Sequence, residues 1–148
     1  WNALQYPPTG TRGVGLARAQ GYGAGFQNYR EWLAKDSVLI VQIEHIEAIN
    51  HLESIFASPG VDGYLIGPYD LSASLGKPGD FQNPDFIAAM RKIKEVAQRA
   101  GLPAGLHVVE PDVTAAASAI KDGYKIIAYS VDMRMLDVSI RHAIGTLR

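Results

Sequence analysis

The sequence contains no cysteine. That excludes disulfides, thiol nucleophiles and thiolate-bound metal, and it fits a reducing compartment, so a cytoplasmic protein is expected. Neither sign of charge is in excess: 14 lysines and arginines stand against 15 aspartates and glutamates. This balance leaves no basic stripe for nucleic acid and no electrostatic pull toward an anionic membrane. No apolar run approaches the roughly 18 residues needed to span a bilayer, and no signal peptide is legible. What is present is apolar, with 47% hydrophobic residues in a chain of 148. That is enough for one core and no more, so a single domain over residues 1–148 is expected.

From residue 37 onward, strand and helix patterns alternate. "SVLIVQIE" (37–44) is a nearly continuous apolar run, as in a parallel strand covered on both faces. A helix over roughly 45–57 places Ala48, Ile49, Leu52, Ile55 and Phe56 on one stripe. "YLIGP" (64–68) is the next strand. "NPDFIAAMRKIKEVAQRAG" (83–101) is the clearest helix, with Asn83 as cap, Pro84 at the first position and Gly101 as stop. "LPAGLHVV" (102–109), "PDVTAAASAIKDG" (111–123) and "KIIAYSV" (125–131) continue the alternation. Asp132 is a candidate cap for a last helix whose Met133, Leu136, Ile140, Ala143, Ile144 and Leu147 share a face. Four βα units in series predict a parallel α/β fold.

The first 36 residues are less regular. "YPPTGTRGVGLARAQGYG" (6–23) allows one short strand near 12–16, before a helix near 26–35. Its glycines lack the strand–GxGxxG–helix context of a dinucleotide fold and the GK[ST] of a P-loop.

Side chains two apart on a strand share a face, so Gln42 and Glu44 lie side by side at the end of their strand. Asp70 follows the end of the next strand, after Gly67, Pro68 and Tyr69. Neighbouring strands are about 4.8 Å apart, so both acids can reach one point. That point lies at the C-terminal strand ends, where parallel α/β folds place their chemistry. Two carboxylates without a thiol suit a hard divalent cation, Mg²⁺ or Mn²⁺, with Co²⁺ as a further candidate. The alternative is structural: Glu44 favours the following helix dipole, and Asp70 caps the turn before Gly76.

"YPPTGTRGVG", "VQIEHIEAINHLESIFASPGVDGYLIGPYDLSASLG" and "GYKIIAYSVD" together resemble the metal-dependent (class II) pyruvate aldolases. That family includes 2-dehydro-3-deoxyglucarate aldolase and 4-hydroxy-2-oxoheptanedioate aldolase. The resemblance implies a (β/α)₈ barrel, of which this chain supplies about the last four to five βα units. It implies a divalent ion on Glu44 and Asp70, Gln42 against pyruvate, and the backbone of Tyr69 and Asp70 on the pyruvate carboxylate. The implied reaction is reversible aldol cleavage of a 4-hydroxy-2-oxo acid to pyruvate and an aldehyde, in a homo-oligomer, trimer or hexamer.

A complete barrel runs to about 250 residues, and the family's general-base histidine and stabilising arginine belong to earlier strands. Among the histidines, His107 alone sits near a strand's C-terminal end and is a candidate substrate contact, the alternative being a satisfied core residue. Arg12 and Arg18 are candidates to meet an acidic acceptor group, the alternative being backbone carbonyls or solvent. His45 and His51 are expected on a helix surface. No lysine falls at a strand's C-terminal end, which disfavours a Schiff-base mechanism. Two further readings stay open: a citrate-lyase-β-like acyl-CoA lyase, and a non-catalytic metal-binding fragment or interaction module.

Overall fold

The computed structural model describes residues 1–147, which fall into two compact units. The first comprises Trp1–Leu39 and Pro59–Asp62. Its centre is Tyr6, Leu33 and Gln5, all buried. The Gln5 amide donates to the Leu33 carbonyl and to Ser37 Oγ, at 3.4 and 3.2 Å, so this buried polar group is satisfied. Helix α1 (Phe26–Asp36) carries Tyr29, whose hydroxyl accepts from Arg12 at 2.9 Å.

One expectation for this region is corrected. No strand forms near 12–16, where Val14 and Leu16 are exposed and no second strand is alongside. That segment is instead tied by turn bonds, Thr11 N–H to Asn2 and Arg12 N–H to Gln5. Trp1 to Gln5 form turns, with Leu4 N–H donating to the Trp1 carbonyl.

The second unit, Ile40–Ser58 with Gly63 onward, is a parallel sheet with helices. Its strands are β1 (Ile40–Ile43), β2 (Gly63–Ile66), β3 (Ala104–Val108) and β4 (Ile126–Tyr129). They lie in the order β1-β2-β3-β4, every pair parallel. The parallel α/β expectation therefore holds, with strands shorter than the apolar runs suggested.

The register separates two faces. Ile43, Tyr64, Ile66 and Leu106 point to one side, where they meet Ile49, Leu52, Phe56, Phe86, Ile93 and Val96. These come from α2 (Ile46–Asn50), α3 (Leu52–Phe56) and α5 (Pro84–Ala100). Gln42, Glu44, Leu65, Gly67, Gly105, His107, Ile126 and Ala128 alternate to the other side. That side is small and polar toward its C-terminal end.

Helix α5 starts and stops as its sequence predicts. Asn83 accepts from Asp85 N–H, Pro84 occupies the first turn, and Gly101 ends it in the left-handed region at φ 70°. The helix expected over 45–57 is broken into α2 and α3. His51 leaves helical geometry at φ −123°, and its N–H bonds three residues back to Ala48. His45 is correspondingly a cap, accepting from Glu47 N–H, and not a helix-surface residue.

Helix α6 (Val113–Lys121) is capped by Asp112. Helix α7 (Asp132–Thr146) begins one residue earlier than expected, with Asp132 inside its first turn and bonded to Met133 N–H. No residue of α7 is buried, and its apolar stripe, including Leu136, Ile140 and Ile144, is exposed.

Candidate active site at the C-terminal strand ends

β1 ends on Ile43, and the chain leaves it through Glu44 and His45 into α2. Gln42 Nε2 donates to Glu44 Oε2 at 2.6 Å, a charge-assisted bond along one strand edge. β2 ends on Ile66, and Gly67 leads into α4 (Pro68–Ser74), a short helix with Pro68 in its first turn. Asp70 therefore sits in the first turn of α4 and not on the strand itself, and its side chain is exposed.

Gly67 is where the two strands' chemistry meets. A Cβ at this position would lie 3.0 Å from Glu44 Oε2 and 3.1 Å from Gln42 Nε2. The carboxylate thus leans from β1 across β2, into room that only glycine leaves open. Gly67 N–H donates to the Ile43 carbonyl at 3.2 Å, which keeps the ends of β1 and β2 level.

Helix α4 is anchored rather than loose. Leu71 and Ser72 have no exposed surface. Ser72 Oγ donates to the Tyr69 carbonyl and accepts from Gly79 N–H. Ser74 Oγ accepts from Ile46 N–H at 2.9 Å, joining α4 to the start of α2, two residues beyond Glu44. These serines were read in the sequence only as part of a turn; the run "DLSAS" was the available signal. Tyr69 is exposed and packs edge-on against Phe81 at 5.0 Å. The N–H groups of Tyr69 and Asp70, in the first helical turn, have no partner within the helix.

His107 lies on β3, on the same face as Gln42 and Glu44, and is half-buried. Its Nε2 is 3.3 Å from the Ser130 carbonyl. Ser130 follows β4 with φ 56°, unusual for a residue with a side chain, and its buried hydroxyl has no partner among the described residues. This turn had no signal in the sequence, where residues 125–131 read as one strand.

In the first unit, Arg12 sits 5.0 Å from the Tyr6 ring and 5.3 Å from the Tyr29 ring. It also donates to the Leu4 carbonyl, so its guanidinium is engaged by rings and backbone. Arg18 opens a short 3₁₀ helix and is exposed. The lysines lie on helices or loops, with Lys125 immediately before β4, so none of them stands at a strand's C-terminal end.

A cavity of about 440 Å³ opens at the opposite, N-terminal ends of the strands, lined by Tyr64, Lys94, Leu102 and Tyr124 among others. Burial first, then the neighbouring Tyr124, pushes the Tyr64 phenol up to about 12. This end of a parallel sheet carries stability rather than chemistry.

The chain has counterparts among known proteins. The sequence model of the HpcH/HpaI aldolase/citrate lyase family matches residues 1–137. The chain belongs to the HpcH/HpaI aldolase/citrate lyase family. It is 41% identical over 135 residues to a pyruvate aldolase of Rhizobium etli, covering 90% of this chain and 52% of that enzyme. It is 38% identical to a hydroxypyruvate/pyruvate aldolase of Paraburkholderia phytofirmans, covering 97% of this chain and 56% of that enzyme. The chain thus spans about half the length of the curated relatives it matches. Among solved structures it is similar to an HpcH/HpaI aldolase/citrate lyase family protein from Burkholderia cenocepacia. The TM-score is 0.84 at 33% identity, over 99% of this chain and 58% of that one.

Among the described residues no three metal-ligating side chains converge. A site for Mg²⁺ or Mn²⁺ does not need three, because such ions use one or two carboxylates and complete their shell with water or substrate oxygen. The hard oxygens of Glu44 and Asp70, with the space kept open at Gly67, fit that description.

Proposed function

We propose that this chain supplies the metal- and pyruvate-binding part of a class II pyruvate aldolase. The reaction is reversible aldol cleavage of a 4-hydroxy-2-oxo acid to pyruvate and an aldehyde. The observation that carries this reading is the Gln42–Glu44 pair leaning over Gly67 at the C-terminal ends of β1 and β2, in a chain of this family. The activities of the relatives, pyruvate aldolase and hydroxypyruvate/pyruvate aldolase, favour it over an acyl-CoA lyase.

In this reading Glu44 and Asp70 hold a divalent ion, Mg²⁺ or Mn²⁺. When bound, the ion supplies Lewis acidity at the 2-oxo oxygen of the substrate. Gln42 holds the Glu44 carboxylate in place and contacts the pyruvate portion. The backbone N–H groups of Tyr69 and Asp70 receive the pyruvate carboxylate. The Tyr69 side chain borders the acceptor pocket.

Cleavage breaks the bond between carbons 3 and 4, takes the proton from the 4-hydroxyl and returns one to carbon 3. The base for that proton, a histidine, and the arginine that stabilises the developing charge come from strands beyond this chain. The chain is accordingly one part of a (β/α)₈ barrel, in a cytoplasmic homo-oligomer, trimer or hexamer.

Calorimetry of Mn²⁺ binding tests this. One site is expected, lost in both Glu44→Gln and Asp70→Asn and strengthened by oxalate, which imitates the pyruvate carboxylate and 2-oxo oxygens. A folded wild-type chain that binds no Mn²⁺ with or without oxalate refutes the reading.

A further inference from the structure

Helices α5 and α6 end in the same way. Gly101 and Gly123 take left-handed backbone, at φ 70° and 98°. Gly101 N–H donates to Gln98 and Leu102 N–H to Ala97; Gly123 N–H donates to Ile120 and Tyr124 N–H to Ala119. This double bond pattern folds the residue after each glycine back toward its own helix. Leu102 and Tyr124 are thereby set just before β3 and β4, which are neighbours. They border the cavity of about 440 Å³, which the second unit forms by itself.

Tyr64 brings a buried polar group to this cavity. It points to the helix side of the sheet, away from the face that carries Gln42 and Glu44. The residue is 1% exposed and its ring packs on Phe56 at 5.2 Å, yet it lines the cavity. Neither its hydroxyl nor that of half-buried Tyr124 makes a hydrogen bond among the described residues. Burial first, then Tyr124 for Tyr64 and Asp122 for Tyr124, raises both phenols. At neutral pH each therefore keeps its proton and can donate. The charge of a tyrosinate sits on its oxygen, and that of Tyr124 is felt at Tyr64, so the two hydroxyls are close. A buried donor without a partner is costly, and an acceptor placed in the cavity recovers that cost.

Two cations stand at the rim: Lys94 on α5 and Lys125 just before β4. Lys94 Nζ gives one proton to the Asp122 carbonyl at 3.3 Å, which leaves two for a ligand. The Asp122 side chain, the one acid of this rim, is on an exposed residue. Ala97, Leu102 and Pro103 supply apolar wall.

We propose that this cavity is a binding site for a small carboxylate with an apolar body, its head held by the Tyr64 and Tyr124 hydroxyls and by Lys94 and Lys125. A carboxylate accepts and does not donate, and these four groups all donate. The apolar body lies against Ala97, Leu102 and Pro103, in a space of the size that small-molecule sites have. The site binds and performs no chemistry. It stands at the other end of the strands from Glu44 and Asp70, and does not depend on the aldolase reading.

The test is calorimetry of the 148-residue chain with naphthoate, and with naphthylmethanol as its neutral counterpart. The folded wild type is expected to bind one equivalent of naphthoate, at least about tenfold more tightly than the alcohol. Tyr64→Phe keeps the ring on Phe56 and loses only the donor; it is expected to weaken naphthoate about tenfold. The double variant Lys94→Met/Lys125→Met is expected to erase the preference for the acid. Amide NMR signals of Leu102 and Tyr124 should shift with naphthoate, and Mn²⁺ with oxalate should leave its affinity unchanged. Equal affinity of the wild type for acid and alcohol overturns the proposal, as does naphthoate binding that neither variant weakens. Competition by Mn²⁺ with oxalate would put the ligand at the C-terminal strand ends and overturn it too. So would failure of the folded wild type to bind naphthoate.

Discussion

Gly67→Ala separates what the site needs from what the fold needs. The backbone at Gly67 has φ −96° and ψ 91°, open to any L-residue, so alanine brings no backbone strain. Shortening the unfolded chain's conformational menu even favours the variant by about 0.4–1 kcal/mol. The cost lies in the side chains. The new Cβ would stand 3.0 Å from Glu44 Oε2, 3.1 Å from Gln42 Nε2 and 3.2 Å from Glu44 Cβ. With both the base and the tip of the glutamate crowded, it must turn as a body. An off-rotamer displacement of that kind costs about 0.5–1.5 kcal/mol, and it breaks the 2.6 Å bond from Gln42.

These opposing effects leave unfolding free energy within about 1 kcal/mol of wild type. Metal binding, which needs the carboxylate where it now lies, weakens at least about tenfold, or ~1.4 kcal/mol. Urea unfolding beside Mn²⁺ calorimetry reads the two quantities separately. A stable Gly67→Ala chain that binds Mn²⁺ with wild-type affinity would refute the assignment of Glu44 to the metal.

Two predictions concern the framework. Ile93 has no exposed surface, whereas Ile140 is 49% exposed on α7, so the same substitution by alanine has unlike effects. Ile93→Ala is expected to lose about 3 kcal/mol in urea unfolding of the isolated chain, and Ile140→Ala to stay within about 0.5 kcal/mol; equal losses would mean that α7 packs on the core. Tyr64 holds its proton up to about 12 in the folded chain, against 10.0 for an unburied phenol. Its contribution, up to about 3 kcal/mol, is full below pH 10 and is lost as pH rises from 10 through 12. Tyrosinate absorbance should show one late-titrating phenol that Tyr64→Phe removes, and the variant's stability should fall less steeply over that interval.

Much of this was legible in one dimension because the signals are local. Asn83, Pro84 and Gly101 bound α5 through their own backbone chemistry, which no distant contact needs to support. The strands of the sheet were legible as apolar runs between turn residues. The adjacency of Gln42 and Glu44 follows from the two-residue period of a strand, and the family motif around them suggested the chemistry proposed for them. Where the sequence misled, the local signal was ambiguous. The stripe over 45–57 is the same whether or not His51 interrupts it, and glycines at 13 and 15 allow a strand only if another strand is beside them.

Tertiary structure decided the rest, for one physical reason: register and backbone direction depend on partners far along the chain. Nothing in "GLHVV" says that His107 stands level with Gly67, or that a carbonyl 23 residues later lies 3.3 Å from its Nε2. Nothing in "LIGPYD" says that Asp70 sits in the first turn of a helix locked by Ser72 and Ser74, one of them bonded to Ile46. The amino acids determined which groups the chain has for its chemistry; pairing of β1, β2 and β3 determined which of them face one another.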